Sequence, residues 1–205
     1  MEYRLIEYRI NRVGIKYQDY LDKMIDDIIK TDPDSLDEKA RSKFETKRLN
    51  LQRSARIMKT YRVSDSLREE IKKINEPQTW MVITENWCGD SAQNLPYLAL
   101  MAEENPAINF KIILRDSNPD IMDQFLTNGT RSIPILVSFD INGNELFRWG
   151  ARPKVVQDLF VKWKAEGIVK PELYKKLHLW YAKNKGQAIE TEFLDILKTV
   201  EQDCN

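Results

Sequence analysis

The 205-residue chain predicts an α/β fold: a mixed four-stranded sheet flanked by helices, with helical additions at both ends. Three observations predict it. Apolar runs of strand length fall near residues 79–84, 108–114, 134–139 and 144–149, with helical periodicity near 90–104, 119–128 and 153–166. Asn142-Gly143, between the last two runs, is a strong two-residue hairpin signal. Strand–helix–strand alternation closed by a hairpin gives one sheet with parallel and antiparallel pairs. Finally, residues 16–75 contain no glycine and carry a helical apolar period.

The elements follow in order. Tyr17, Tyr20, Leu21, Met24, Ile25, Ile28 and Ile29 share one helix face. Asp32-Pro33-Asp34 breaks that helix, and Asp34 or Ser35 is placed to cap the next. The second helix carries Leu36, Ala40, Phe44, Leu51, Ala55 and Met58 as a broad stripe ending near Tyr61. Ser66-Leu67-Arg68-Glu69 reads as a capping box for a short third helix, stopped by Glu76-Pro77. Beyond the hairpin, Gly167 ends a helix, Pro171 begins another through Leu173, Leu177, Trp180 and Tyr181, and Gly186 separates the last, with Ile189, Phe193 and Leu197. The division expected is an N-terminal helical extension (1–76), a core (77–167) and C-terminal helices packed on it (168–205).

Composition narrows the function classes. The chain is 42% hydrophobic and 31% charged, with 32 basic and 32 acidic residues, so no global charge steers it toward nucleic acid or membranes. No apolar run approaches the ~18 residues of a membrane span, and Met1-Glu2-Tyr3-Arg4 lacks the apolar region of a secretory leader. Cys88 and Cys204 are too few and too separated for a disulfide framework, so a reducing cytoplasm is expected. One histidine, His178, with those two cysteines cannot build a zinc site, and no glycine-rich phosphate loop is present; neither metal nor cofactor is expected. Between Arg41 and Arg62, eight basic residues accompany one acid, Glu45. This helix reads as pairing with the acidic segment Asp19 to Glu38 and with solvent, rather than binding nucleic acid.

Chemistry concentrates at Trp87-Cys88-Gly89-Asp90-Ser91. The cysteine follows an apolar strand at the start of a helix, where unpaired backbone N–H groups favour thiolate, and such sites lower a cysteine pKa from about 8.5 to roughly 3.5–7.5. Asp90 works the other way: a carboxylate opposes ionisation by about 1 kcal/mol at 4 Å in water, and more when buried. The residues alone leave the sign of the net shift open. Ser91 can donate to the sulfur or satisfy backbone groups of the first turn.

Trp87-Cys88-Gly89, Pro96, Asp116, Asn118, Pro119, the run Arg131-Ser132-Ile133-Pro134-Ile135-Leu136, the hairpin from Asp140 to Glu145, and Gly150 together resemble the thioredoxin superfamily over roughly residues 78–166. The resemblance implies a thioredoxin-like fold in which Cys88 attacks disulfides and Trp87 shields the sulfur. It implies that Gly89, Asp90 and Ser91 support the site, that Pro134 is cis, and that the Ile133 backbone pairs with a bound substrate. Two departures stand out: Ser91 replaces the resolving cysteine, and Val82 replaces a buried acid that serves the same step. The reading is monothiol thiol–disulfide exchange, with a mixed disulfide at Cys88 released by an external thiol. Its partners are a protein or a low-molecular-weight disulfide and thiol, with the oligomeric state left open. Without a resolving cysteine, a redox-inactive binding module gripping an extended polypeptide near Pro134 is the alternative. Cys88-Gly89-Asp90-Ser91 also resembles monothiol glutaredoxins, some of which carry an iron–sulfur cluster, though Trp87 and Ser132-Ile133-Pro134 fit thioredoxins better. Cys204, near the chain end, is expected to be dispensable.

Overall fold

A computed structural model describes residues 3–203, so the expectation for Cys204 lies outside the described residues. Four strands, β1 (Gln78–Thr84), β2 (Ile108–Leu114), β3 (Ile135–Phe139) and β4 (Glu145–Gly150), form one sheet in the order β2-β1-β3-β4. β1 runs parallel to β2, while β3 is antiparallel to both β1 and β4. The parallel pair needs a crossover, supplied by helix α5 (Gly89–Glu103), and the Asn142-Gly143 turn joins β3 to β4. Gly143 has φ 88°, and its N–H donates to the Asp140 carbonyl at 3.1 Å. The mixed, helix-flanked sheet expected from the sequence is present.

Strand alternation divides the core between the two sheet faces. Trp80, Val82 and Leu136 face one layer with Leu95 and Leu98 of α5 and Phe193 of α9 (Gln187–Asp203). Met81, Ile83, Ile135 and Val137 face the other, with Ile121 and Met122 of the one-turn helix α6 (Pro119–Met122). That second face is also covered by Ile6 and Ile10 of α1 (Tyr3–Val13), a helix the sequence reading did not foresee. The remaining helices are α2 (Tyr17–Lys30), α3 (Glu38–Thr60), α4 (Asp65–Lys72), α7 (Lys154–Ala165) and α8 (Lys170–Asn184). Among the described residues, no helix is long and apolar enough to cross a membrane.

Several local expectations are corrected. Residues 119–128 do not form one helix: α6 ends at Met122, and Asn128 and Gly129 take positive φ in a turn closed by Thr127 and Thr130. Pro33–Ser35 is a 3₁₀ turn, and Asp37, not Asp34 or Ser35, caps α3 by accepting from Ala40 N–H at 2.7 Å. Ser64, not Ser66, caps α4. The α3 face that meets the core is partly polar: Phe44 and Ile57 are buried there, but so are Asn50 and Ser54, whereas Ala55 is exposed. Asn50 donates to the Asn86 carbonyl at 3.0 Å and Ser54 to the Ala92 carbonyl at 3.4 Å. Those bonds tie α3 to the segment carrying Cys88. The same core layer holds Ile57, Leu67 and Ile71 from α3 and α4 together with β1 residues.

Candidate active site around Cys88

β1 ends at Thr84, and after three residues Cys88 becomes the N-cap of α5. Cys88 is buried in the second core layer with Ile133. Its thiol donates to the Ile133 carbonyl at 3.4 Å. The Ile133-Pro134 peptide bond is cis, and the hydrogen bond to Ile133 sets the Pro134 loop against the sulfur. Gly150 keeps this loop in place from behind. Its φ is 137°, and a Cβ there would lie 2.3 Å from the Pro134 carbonyl oxygen, so only glycine fits.

Cys88 has its pKa raised. Burial is the largest cause, the Asp90 carboxylate adds to it, and the Ser91 hydroxyl with the N–H groups of Ser91 and Asp90 pulls the other way. The net shift is upward: the helix N-terminus acts as expected but loses to desolvation. Ser91 is itself buried and accepts from the Thr84 hydroxyl at 2.6 Å, which leaves its own proton for another acceptor.

Asp90 is held by residues from far along the chain. Arg152 donates to its two oxygens at 3.2 and 2.5 Å, and the Tyr181 hydroxyl donates to Oδ1 at 2.7 Å. Asn94 bridges the Asp90 carbonyl and the Tyr181 oxygen at 2.9 and 3.0 Å. The ion-pair side chains are only 12% and 7% exposed, so water screens them little. Gly89 lies under His178, where a Cβ would come within 2.8 Å of the ring. Gln93 Nε2 donates to His178 Nδ1 at 3.3 Å, and the His178 pKa is lowered to about 4 by burial and by the Arg53 and Arg152 cations. α8 therefore lies over the start of α5. Trp87 is part-exposed on the opposite side, with its indole N–H on Asp116 at 3.2 Å and Arg115 stacked 4.7 Å from the ring centre. Glu85, buried nearby, accepts from the Asp116 N–H at 2.8 Å and has its pKa raised by burial.

The structure thus brings Cys88, Gly89, Asp90, Ser91, Ile133 and Pro134 together, with Trp87 at the rim. Arg152, Tyr181, His178, Asn94 and Glu85 are the groups missed by sequence reasoning. Their separations from the motif, 62 residues for Arg152 and 91 for Tyr181, carry no local pattern.

A family model described as Thioredoxin matches residues 38–166. The chain belongs to this thioredoxin family. The matched region begins at the start of α3, well before the sheet. Solved structures share the fold. One is a protein of unknown function from Pseudomonas aeruginosa, 22% identical, with a TM-score of 0.57 over 74% of this chain and 85% of that one. Another is an HIV epitope scaffold, also 22% identical, with a TM-score of 0.54 over 74% of this chain and 86% of the scaffold. No curated protein matches the sequence. Among the described residues, no group of histidine, cysteine and carboxylate side chains is arranged to hold a metal ion.

Proposed function

We propose that this thioredoxin-family chain is a monothiol thiol–disulfide exchange protein acting through Cys88. The observation that carries the reading is the 3.4 Å approach of the thiol to the Ile133 carbonyl, beside the cis-Pro134 loop. An extended substrate backbone lying along this loop would present its disulfide to the sulfur. Cys88 first loses its proton to solvent. The thiolate then attacks one sulfur of R–S–S–R′, forming Cys88–S–S–R and releasing R′–S⁻. A second thiolate, R″–S⁻, attacks the R sulfur, yielding R–S–S–R″ and regenerating the Cys88 thiolate. Ser91 cannot take the place of R″–S⁻, so the resolving thiol comes from outside, as a reducing cytoplasm would supply it.

The raised pKa and burial of Cys88 favour a second reading, a binding module without turnover in which the same loop holds a polypeptide. Intact-mass analysis after exposure to 2-hydroxyethyl disulfide separates the two. With Cys204→Ser removing the other thiol, a single adduct on Cys88, faster to form at higher pH and released by added glutathione, is the expected result. A folded protein that takes no adduct across the accessible pH range would leave only the binding module.

A further inference from the structure

The basic helix α3 pairs with acids over only part of its length. Arg41 and Lys47 reach Asp34 and Asp27 at 3.4 Å each, as expected from the acidic segment. Further along, Arg53, Arg56 and Arg62 pair with no carboxylate of a described residue, and neither does Lys185 from the end of α8. Arg53 donates only to the neutral Asn50 oxygen, at 2.9 Å.

These cations converge. An open cleft of about 620 Å³ lies between α3, α5, α8 and α9, with Arg56, Arg62 and Lys185 on its walls and Tyr61 and Tyr97 lining it. One acid, Glu190, lines it too, but its Oε1 already accepts from the Tyr61 hydroxyl at 2.6 Å and the Ser64 N–H at 3.0 Å. Arg53 stands one turn before Arg56 on α3 and continues the row to Gly89, 3.9 Å from where its Cβ would be. Burial, and after it the Arg56 cation, disfavours the charge on Arg53; burial, and after it Arg53, disfavours protonation of His178. Three cations on the walls of one cleft, with a single acid among them that is already engaged, leave a positive concave site that an entering anion compensates.

We propose that this cleft binds a small polyanion, a ligand carrying two or more carboxylate or phosphate groups, against the helix that begins at Cys88. Guanidinium groups recognise both chemistries through paired N–H donors, and the tyrosine rings supply an apolar floor. None of its residues touches the sulfur, although Tyr181, which donates to Asp90, also lines the cleft. A concave pocket and a chain without net charge fit a small ligand better than a nucleic-acid backbone.

Calorimetric titration of the full-length protein with citrate and, separately, pyrophosphate at constant ionic strength tests it. Whichever anion binds more tightly assigns the carboxylate or the phosphate source. Saturable one-to-one binding is expected, weakened about tenfold by the Arg56→Gln/Arg62→Gln pair and unchanged by Lys175→Gln, whose side chain is exposed elsewhere on α8. An unchanged thermal transition in the double variant keeps loss of fold out of the comparison; if that variant does not fold, Arg56→Gln alone replaces it. No binding of either anion up to about 10 mM, or equal affinity in the variant, would overturn the proposal. Binding of a single-stranded oligonucleotide with neither small anion would overturn it as well.

Discussion

At Cys88 the competition is between desolvation and a small set of nearby dipoles and charges. The sulfur is buried and Asp90, two residues away, raises its pKa, while Arg152 pairs with that carboxylate. Removing Arg152 leaves a buried, unpaired carboxylate. Arg152→Gln should therefore push the Cys88 pKa further up and cost about 3–5 kcal/mol of stability. Asp90→Asn should move the Cys88 pKa down, because the repelling charge is gone while the cation stays. Thiolate absorbance against pH, in a Cys204→Ser background, reads both shifts; equal titrations in wild type and both variants would refute the coupling. A raised thiol pKa also sets a stability slope. The folded state keeps its proton where the unfolded chain has lost it, so this contribution falls as pH rises above about 8.5.

His178 gives the opposite slope. It titrates near pH 4 in the folded protein and near 6.5 in a free chain, so the unfolded state binds the extra proton between those values. Its contribution is complete above pH 6.5 and is lost as pH falls toward 4. The shift caps the effect at about 3 kcal/mol, and solvent reaching the ring reduces it to roughly 1–2. Carboxylates titrate in the same range, so the readout is a difference: denaturant unfolding of wild type minus His178→Gln between pH 4 and 7. A difference that does not change with pH would contradict the neutral, cation-flanked ring.

Among the elements, those with a strong local signal were legible and those fixed by distant partners were not. β2 sets Ile108, Phe110, Ile112, Ile113 and Leu114 before the polar Arg115-Asp116, and its observed span, Ile108–Leu114, is the one the sequence predicts. α1 escaped because only Ile6, Ile10 and Val13 mark its inner face, and its contacts lie on a sheet face more than a hundred residues away in part. On α3, hydrophobic patterning selected Ala55, while the actual contact uses Asn50 and Ser54, polar residues whose partners are backbone carbonyls at the Cys88 motif and in α5. Cys88 and Pro134 were legible as a motif, whereas Arg152 and Tyr181 are brought to Asp90 only by the fold. The Gly150–Pro134 approach gives an element-scale prediction. Gly150→Ala places a methyl 2.3 Å from the Pro134 oxygen and must displace the loop. With an unfavourable φ added, the loss should be about 2–4 kcal/mol by thermal or urea unfolding, accompanied by faster alkylation of Cys88. A variant as stable as wild type would show that the loop has room the structure denies it.

For the molecule as a whole, the question is whether the terminal helices are attachments or part of one cooperative unit. Leu67 and Ile71 from α4 and Phe193 from α9 are all fully buried in the layer that holds Trp80 and Val82 of β1. Each such side chain contributes about 1.5–3 kcal/mol when withdrawn from water. Three or four of them equal the entire net stability of an ordinary domain, about 5–15 kcal/mol. Neither end can therefore detach while the sheet survives. The full chain should unfold in one transition, with far-ultraviolet and near-ultraviolet circular dichroism and Cys88 alkylation sharing a midpoint. Fragment 76–205, which lacks α1 to α4, and fragment 1–167, which lacks Tyr181 on Asp90 and Phe193 on the sheet, should each lose cooperative melting. A fragment 76–205 that melts sharply would make the N-terminal helices a separate unit, and the same result for 1–167 would confine the Asp90 network to a dispensable cap.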